Sequence, residues 1–140
     1  GLSLRVPQSA MLAAYPPGAH YRRHMDSYGG RDIPRYVTCL LYLGWEPRVG
    51  GQLRAYQPAG GTQGGGARDE QRGGVWADAK TAPRRDQHGQ TERYVDVDPL
   101  PGRLCVFFSQ DVEHEVLHSS GDRFAITLWI WSTERDDQGR

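Results

Sequence analysis

Short runs of branched and aromatic residues recur along the chain between clusters of Gly, Pro and Asp, with apolar and polar positions alternating every second residue. That period belongs to β-strands rather than helices. The runs predict strands near 9–15, 20–26, 35–43, 52–57, 94–98, 103–108, 112–118 and 123–131. No segment carries a helical stripe of about twelve residues or more. The expectation is an all-β sandwich or barrel, with at most a minor helix outside this sequence.

Two of these runs have faces of different character. In 35–43 one face carries Val37, Cys39, Leu41 and Leu43, and the other Tyr36, Thr38, Leu40 and Tyr42. In 123–131 Phe124, Ile126, Leu128 and Ile130 form a greasy face opposite Arg123, Ala125, Thr127, Trp129 and Trp131. Successive strand residues point to opposite sides, so a face headed by a charge and continued by mixed polar and aromatic groups reads as the wall of a cavity.

Residues 59–93 break the pattern, with eight glycines, six basic and five acidic residues and only Val75 and Trp76 as large apolar groups. Such a stretch cannot bury enough surface to order itself and predicts a flexible insertion, with Val75 and Trp76 as its one anchor. There is no internal repeat.

Length bounds the rest. A chain of 140 residues makes one domain, residues 1–140, whose core needs no disulfide or structural metal. The 18 glycines and nine prolines fit a turn-rich β protein. Basic and acidic residues balance at 17 each, so no overall charge draws the protein to nucleic acid or to an anionic membrane. No apolar run approaches the ~20 residues of a helical membrane span. Cys39 and Cys105 lie inside apolar runs and read as reduced core residues of an intracellular protein, a single buried disulfide being the alternative. The first residue is Gly1 and the opening is abrupt, as expected of a domain cut from a longer protein that carries its own targeting signals elsewhere.

Candidate chemistry centres on the five histidines, His20, His24, His88, His114 and His118. In His24-Met25-Asp26 the two potential ligands sit two apart, a spacing that puts both on one face of a strand. A third ligand must come from elsewhere, and His114, at the head of an apolar strand, is the natural donor. Two histidines and one carboxylate leave open positions on an iron, the arrangement of non-haem Fe(II) oxygenases. The plain alternative is a set of partly exposed strand histidines with no shared partner. His114-Glu115-Val116-Leu117-His118 is also a literal H-E-x-x-H, and Gly121 extends it towards a zinc-protease signature. That chemistry requires a helix, where residues i and i+4 meet; the motif is wedged between strand-like runs, and Phe124 stands where a third histidine would be needed.

Several ordered stretches together carry a resemblance. They are Met11–Pro16, Tyr21–Asp26, Arg35–Leu43, Gly50–Arg54, His114–Val116 and Arg123–Trp129. From about Met11 to Trp131, leaving out the 59–93 segment, the chain resembles the iron(II)- and 2-oxoglutarate-dependent prolyl hydroxylases, most closely the hypoxia-inducible-factor type. The resemblance implies a double-stranded β-helix, a jelly roll of the cupin kind. It implies that His24, Asp26 and His114 are the catalytic metal ligands for Fe(II), and that Arg123 and Tyr42 bind the distal carboxylate of 2-oxoglutarate. Tyr15 and Thr127 match supporting hydrogen-bonding positions around the cosubstrate, and Arg35 and Trp129 match positions flanking the substrate at the pocket mouth.

The activity so implied couples decarboxylation of 2-oxoglutarate, giving succinate and CO2, to hydroxylation of a prolyl residue in a protein or peptide. O2 is consumed and ascorbate assists. No nucleic acid or membrane partner is expected, and the compartment is cytoplasmic or nuclear. The alternatives are an oxygenase acting on another residue or a small molecule, and a cupin-like domain that binds a partner without catalysis. The chain departs from the family in its long 59–93 segment and in lacking the elements that usually precede the barrel, both of which help to choose the protein substrate.

Overall fold

The computed structural model describes residues 3–28, 35–44, 50–56, 81–85 and 91–133. Among these it contains ten strands and no helix: β1 (Leu4–Arg5), β2 (Met11–Tyr15), β3 (Tyr21–His24), β4 (Arg35–Leu43), β5 (Leu53–Tyr56), β6 (Thr81–Arg85), β7 (Thr91–Val97), β8 (Leu104–Phe108), β9 (His114–Val116) and β10 (Arg123–Ser132). All eight expected strands are present.

The pairing is nested. β2 pairs with β10, β3 with β9, β4 with β8 and β5 with β7, every pair antiparallel. Such a chain is one long hairpin rolled up on itself, and the roll is closed by lateral pairing of β4 with β10 and of β5 with β9. Two five-stranded sheets result: β2, β10, β4 and β8, with β1 beside the far end of β10, and β3, β9, β5, β7 and β6. This is a jelly roll, the double-stranded β-helix.

Alternation decides which side chains the sheets enclose. From β4 the buried residues are Thr38, Leu40 and Tyr42, and from β10 Arg123, Ala125, Thr127 and, at its far end, Ser132. Leu53, Ala55, Phe107, Val112 and Val116 complete the core. The greasy face of β10 is the outward one, with Phe124 exposed, and its mixed face lines the interior as expected.

Two features differ from expectation. β1 is too short to leave a periodic signal. β6 lies within the segment expected to be a flexible insertion, and β7 also begins inside it, at Thr91. Among the described residues β6 is an edge strand, paired to β7. An edge accepts a proline such as Pro83 and needs no apolar alternation, so composition hides it. Residues 59–80, with Val75 and Trp76, lie outside the described residues, as does His88. Both cysteines are free thiols.

A jelly-roll pocket with a two-histidine, one-carboxylate cluster

β3 and β9 lie side by side, and their register sets His24 directly opposite His114. The two rings sit 4.4 Å apart, centroid to centroid. Each is oriented from behind: Nδ1 of His24 lies 2.8 Å from the Arg22 carbonyl and Nδ1 of His114 lies 3.0 Å from the Val112 carbonyl. A carbonyl only accepts, so both Nδ1 atoms carry the proton and both Nε2 atoms face the opposite way, towards Asp26. His24 Nε2 is 3.5 Å from Asp26 Oδ1, and His114 Nε2 is 3.9 Å from Asp26 Oδ2.

The structure brings His24 and Asp26 together, but not on one strand face as their spacing predicts. β3 ends at His24, and the chain bends at Asp26. Convergence therefore comes from a turn back over the barrel mouth rather than from two residues on one strand face. Each of the three residues offers one ligand atom within 4.8 Å of the others, close enough for modest side-chain adjustment to place all three on one ion.

Electrostatics favour a cation there. Burial alone would raise the Asp26 carboxyl, but hydrogen bonds from His24 and Thr38 outweigh it and hold the group at about 2. The hydrogen bond to Asp26 pushes His24 up from its ordinary value, whereas burial pushes His114 down. As the pH falls, His24 is therefore the first of the two histidines whose proton competes with a metal. Mn(II) affinity should fall about tenfold per pH unit below the His24 titration, a one-proton slope. A pH series of Mn(II) titrations checks this; a flat or two-proton dependence in that range would contradict it.

Deeper in the barrel Arg123 is only 2% exposed. Its guanidinium lies 4.9 Å from the centre of the Tyr15 ring and 5.0 Å from that of Tyr42. Neither its Nε nor its Nη2 has a hydrogen-bond partner, and neither does the buried Tyr42 hydroxyl. Desolvation pushes the Tyr42 phenol far above its usual value, so it stays protonated as a donor. Buried donors without acceptors are costly, and a bidentate guanidinium beside a phenol O–H suits a carboxylate. Thr127 is buried on the same face of β10, two residues beyond Ala125.

Gly51 explains how Arg123 is seated. At φ +71° the backbone favours glycine, and a Cβ there would meet the Ser119 side chain at 3.0 Å and the Arg123 Cδ at 3.2 Å. The Gly50-Gly51 turn thus packs on the stem of the arginine. At the opposite end of β10 the Arg35 guanidinium lies 3.8 Å over the Trp129 ring and reaches towards the Asp26 carbonyl at 3.5 Å.

The H-E-x-x-H motif does not form a site. Of its two histidines and its glutamate, only His114 points inward from β9. Glu115 faces out and accepts a 2.5 Å hydrogen bond from Tyr56. His118 stacks on His20 at 4.2 Å, its Nδ1 2.9 Å from the Gly18 carbonyl. Sequence reasoning missed Thr38 as the partner of Asp26 and Ser109 as the partner of Thr38; the one signal was that Thr38 shares the inward face of β4 with Tyr42.

A jelly roll with two imidazoles and a carboxylate converging at its mouth has the donor set of mononuclear non-haem iron oxygenases. Comparison with known proteins specifies the class further: residues 10–131 match the 2OG-Fe(II) oxygenase superfamily, and the chain belongs to that family. The family uses Fe(II), 2-oxoglutarate and O2, and the buried, unpartnered donors of Arg123 and Tyr42 fit such a dicarboxylate.

Three relatives fix the neighbourhood. Egl nine homolog 1 of Homo sapiens is 29% identical over 129 residues, 89% of this chain and 23% of that protein. A prolyl-4-hydroxylase from Pseudomonas putida is 33% identical with a TM-score of 0.55, covering 89% of this chain and 51% of that one. A prolyl hydroxylase from Trichoplax adhaerens, solved with a hypoxia-inducible-factor peptide fragment, is 28% identical with a TM-score of 0.56, covering 90% and 45%. The chain thus spans about half or less of each.

Proposed function

We propose that this chain is the catalytic domain of a 2-oxoglutarate-dependent dioxygenase that hydroxylates a prolyl residue in a protein or peptide, acting in the cytoplasm or nucleus. The observation that carries the reading is the pairing of two sites in one barrel: the His24–Asp26–His114 cluster at the mouth, and the unpartnered Arg123 and Tyr42 donors inside it.

In this reading His24, Asp26 and His114 hold Fe(II), which when bound supplies the redox chemistry that divides dioxygen between the oxo acid and a substrate C–H bond. The Nδ1 contacts of the two histidines keep their Nε2 lone pairs aimed at the metal. Arg123 and Tyr42 anchor the distal carboxylate, with Tyr15 and Thr127 beside them. Arg35, held flat on Trp129 next to Asp26, forms the wall a peptide would meet on entering. The prolyl target is supported by the two solved relatives, both prolyl hydroxylases by name.

The test is anaerobic loading with Fe(II), followed by exposure to air with 2-oxoglutarate and ascorbate, and succinate measured with and without a panel of proline-containing peptides. A peptide that stimulates succinate release and gains one oxygen atom on proline supports the reading. Stimulation only by small molecules or by peptides lacking proline would replace it with another oxygenase activity, and no turnover at all with a cupin-like binding role. Glu115→Gln and His118→Ala should each leave Mn(II) affinity and 2-oxoglutarate turnover close to the parent. Loss of metal in either variant, measured by Mn(II) titration, would restore the zinc-protease reading.

A further inference from the structure

Asp26 is held by more than its two histidines. Thr38, on the inward face of β4 and 1% exposed, donates its hydroxyl proton to Asp26 Oδ2 at 2.7 Å. The same Thr38 oxygen lies 2.8 Å from Oγ of Ser109, which is fully buried just beyond the end of β8. A hydroxyl has one proton. Since the Thr38 proton is committed to the carboxylate, Ser109 must be the donor of the second bond, and the order runs Ser109 to Thr38 to Asp26. Ser109 is itself fixed at both backbone positions: its N–H donates to the Tyr36 carbonyl at 3.0 Å, and its carbonyl accepts from the Ser27 N–H, next to Asp26, at 3.1 Å. One residue therefore secures both the hydroxyl chain and the loop that carries the carboxylate.

We infer that Thr38 and Ser109 are positioning residues that make Asp26 a one-oxygen metal ligand. Oδ2, 3.9 Å from His114 Nε2, already accepts from the Thr38 hydroxyl, and Oδ1, 3.5 Å from His24 Nε2, is the oxygen left for the metal. Consecutive hydroxyls polarise one another, so the bond at Oδ2 is stronger than Thr38 alone would make it. A carboxylate with both oxygens free could take two positions on an ion. Held to one, it would bind Fe(II) alongside the two imidazoles and leave the metal accessible to a cosubstrate. The inference rests on the proposed function.

The test uses Thr38→Val, which keeps the shape and removes the donor, Thr38→Ser, which keeps the donor, and Ser109→Ala. Mn(II) affinity is read from the free-ion electron paramagnetic resonance signal, 2-oxoglutarate affinity is read on the Mn(II)-loaded protein, and circular dichroism reports folding. Thr38→Val should weaken Mn(II) binding about 10–100-fold and weaken 2-oxoglutarate binding to the loaded protein. Thr38→Ser should restore both, and Ser109→Ala should fall between parent and Thr38→Val. A folded Thr38→Val that binds both like the parent overturns the inference alone. A parent that binds neither overturns the proposed function and the inference with it. Should Thr38→Val fail to fold, Ser109→Ala decides: weakened metal binding in a folded protein supports the assignment, and parental binding refutes it.

Discussion

Replacing Asp26 with alanine should abolish succinate production and weaken Mn(II) binding by at least about a hundredfold while the barrel stays folded. Losing a group that merely orients a metal ligand costs 10–100-fold in affinity, and Asp26 is the sole carboxylate in the cluster. It is held ionised far below neutral pH, so it supplies negative charge throughout the working range. With it gone, two imidazoles remain and the site carries no counter-charge for a divalent ion. The fold should survive because Asp26 lies in a bend after β3, outside the apolar core. Retained circular dichroism with lost Mn(II) binding is the expected pair of results; turnover at the parental rate would remove Asp26 from the site.

Arg123→Met should do two opposite things, raising the melting temperature of the ligand-free protein and sharply weakening 2-oxoglutarate binding. Without cosubstrate the guanidinium is a buried charge with two unpartnered nitrogens, compensated in part by the Tyr15 and Tyr42 rings. Replacing buried ionic groups with apolar ones of similar volume often stabilises by about 1–4 kcal/mol, and a stabilisation of about 1–2 kcal/mol is expected here. Cosubstrate binding loses a charge-assisted pair worth about 1.5–3 kcal/mol, roughly tenfold to more than a hundredfold. Tyr42→Phe removes one neutral donor and should cost less. Thermal melts with and without 2-oxoglutarate read both effects. A variant that melts below the parent when ligand-free would mean the arginine is structural ballast rather than a binding group held at the expense of stability.

The alternation in β4 and β10 was legible because each strand has one face against the core, and a period of two leaves no ambiguity about which residues share it. Arg123 could be read as a wall residue for the same reason: a charge at the head of a buried face is costly unless it has work there. The bend at Asp26 was not legible, since the same His-x-Asp spacing serves a straight strand or a turn. β6 escaped because edge pairing uses backbone groups that leave no trace in side-chain pattern. The Thr38–Ser109 bond joins residues 71 positions apart; two small hydroxyl residues in separate strands announce nothing until pairing of β4 with β8 brings them together.

The division of labour between the two sheets has a metrical consequence. His24 and His114 belong to the β3–β9 sheet, whereas Tyr42 and Arg123 belong to the β4–β10 sheet. In the proposed function one end of the cosubstrate is fastened to each layer, so the gap between layers works as a calliper. Facing sheets stand about 10 Å apart, a separation set by the girth of the residues between them, Leu40, Leu53, Phe107 and Val116 among them. Selectivity for chain length would then be set by the core packing that holds the two layers apart.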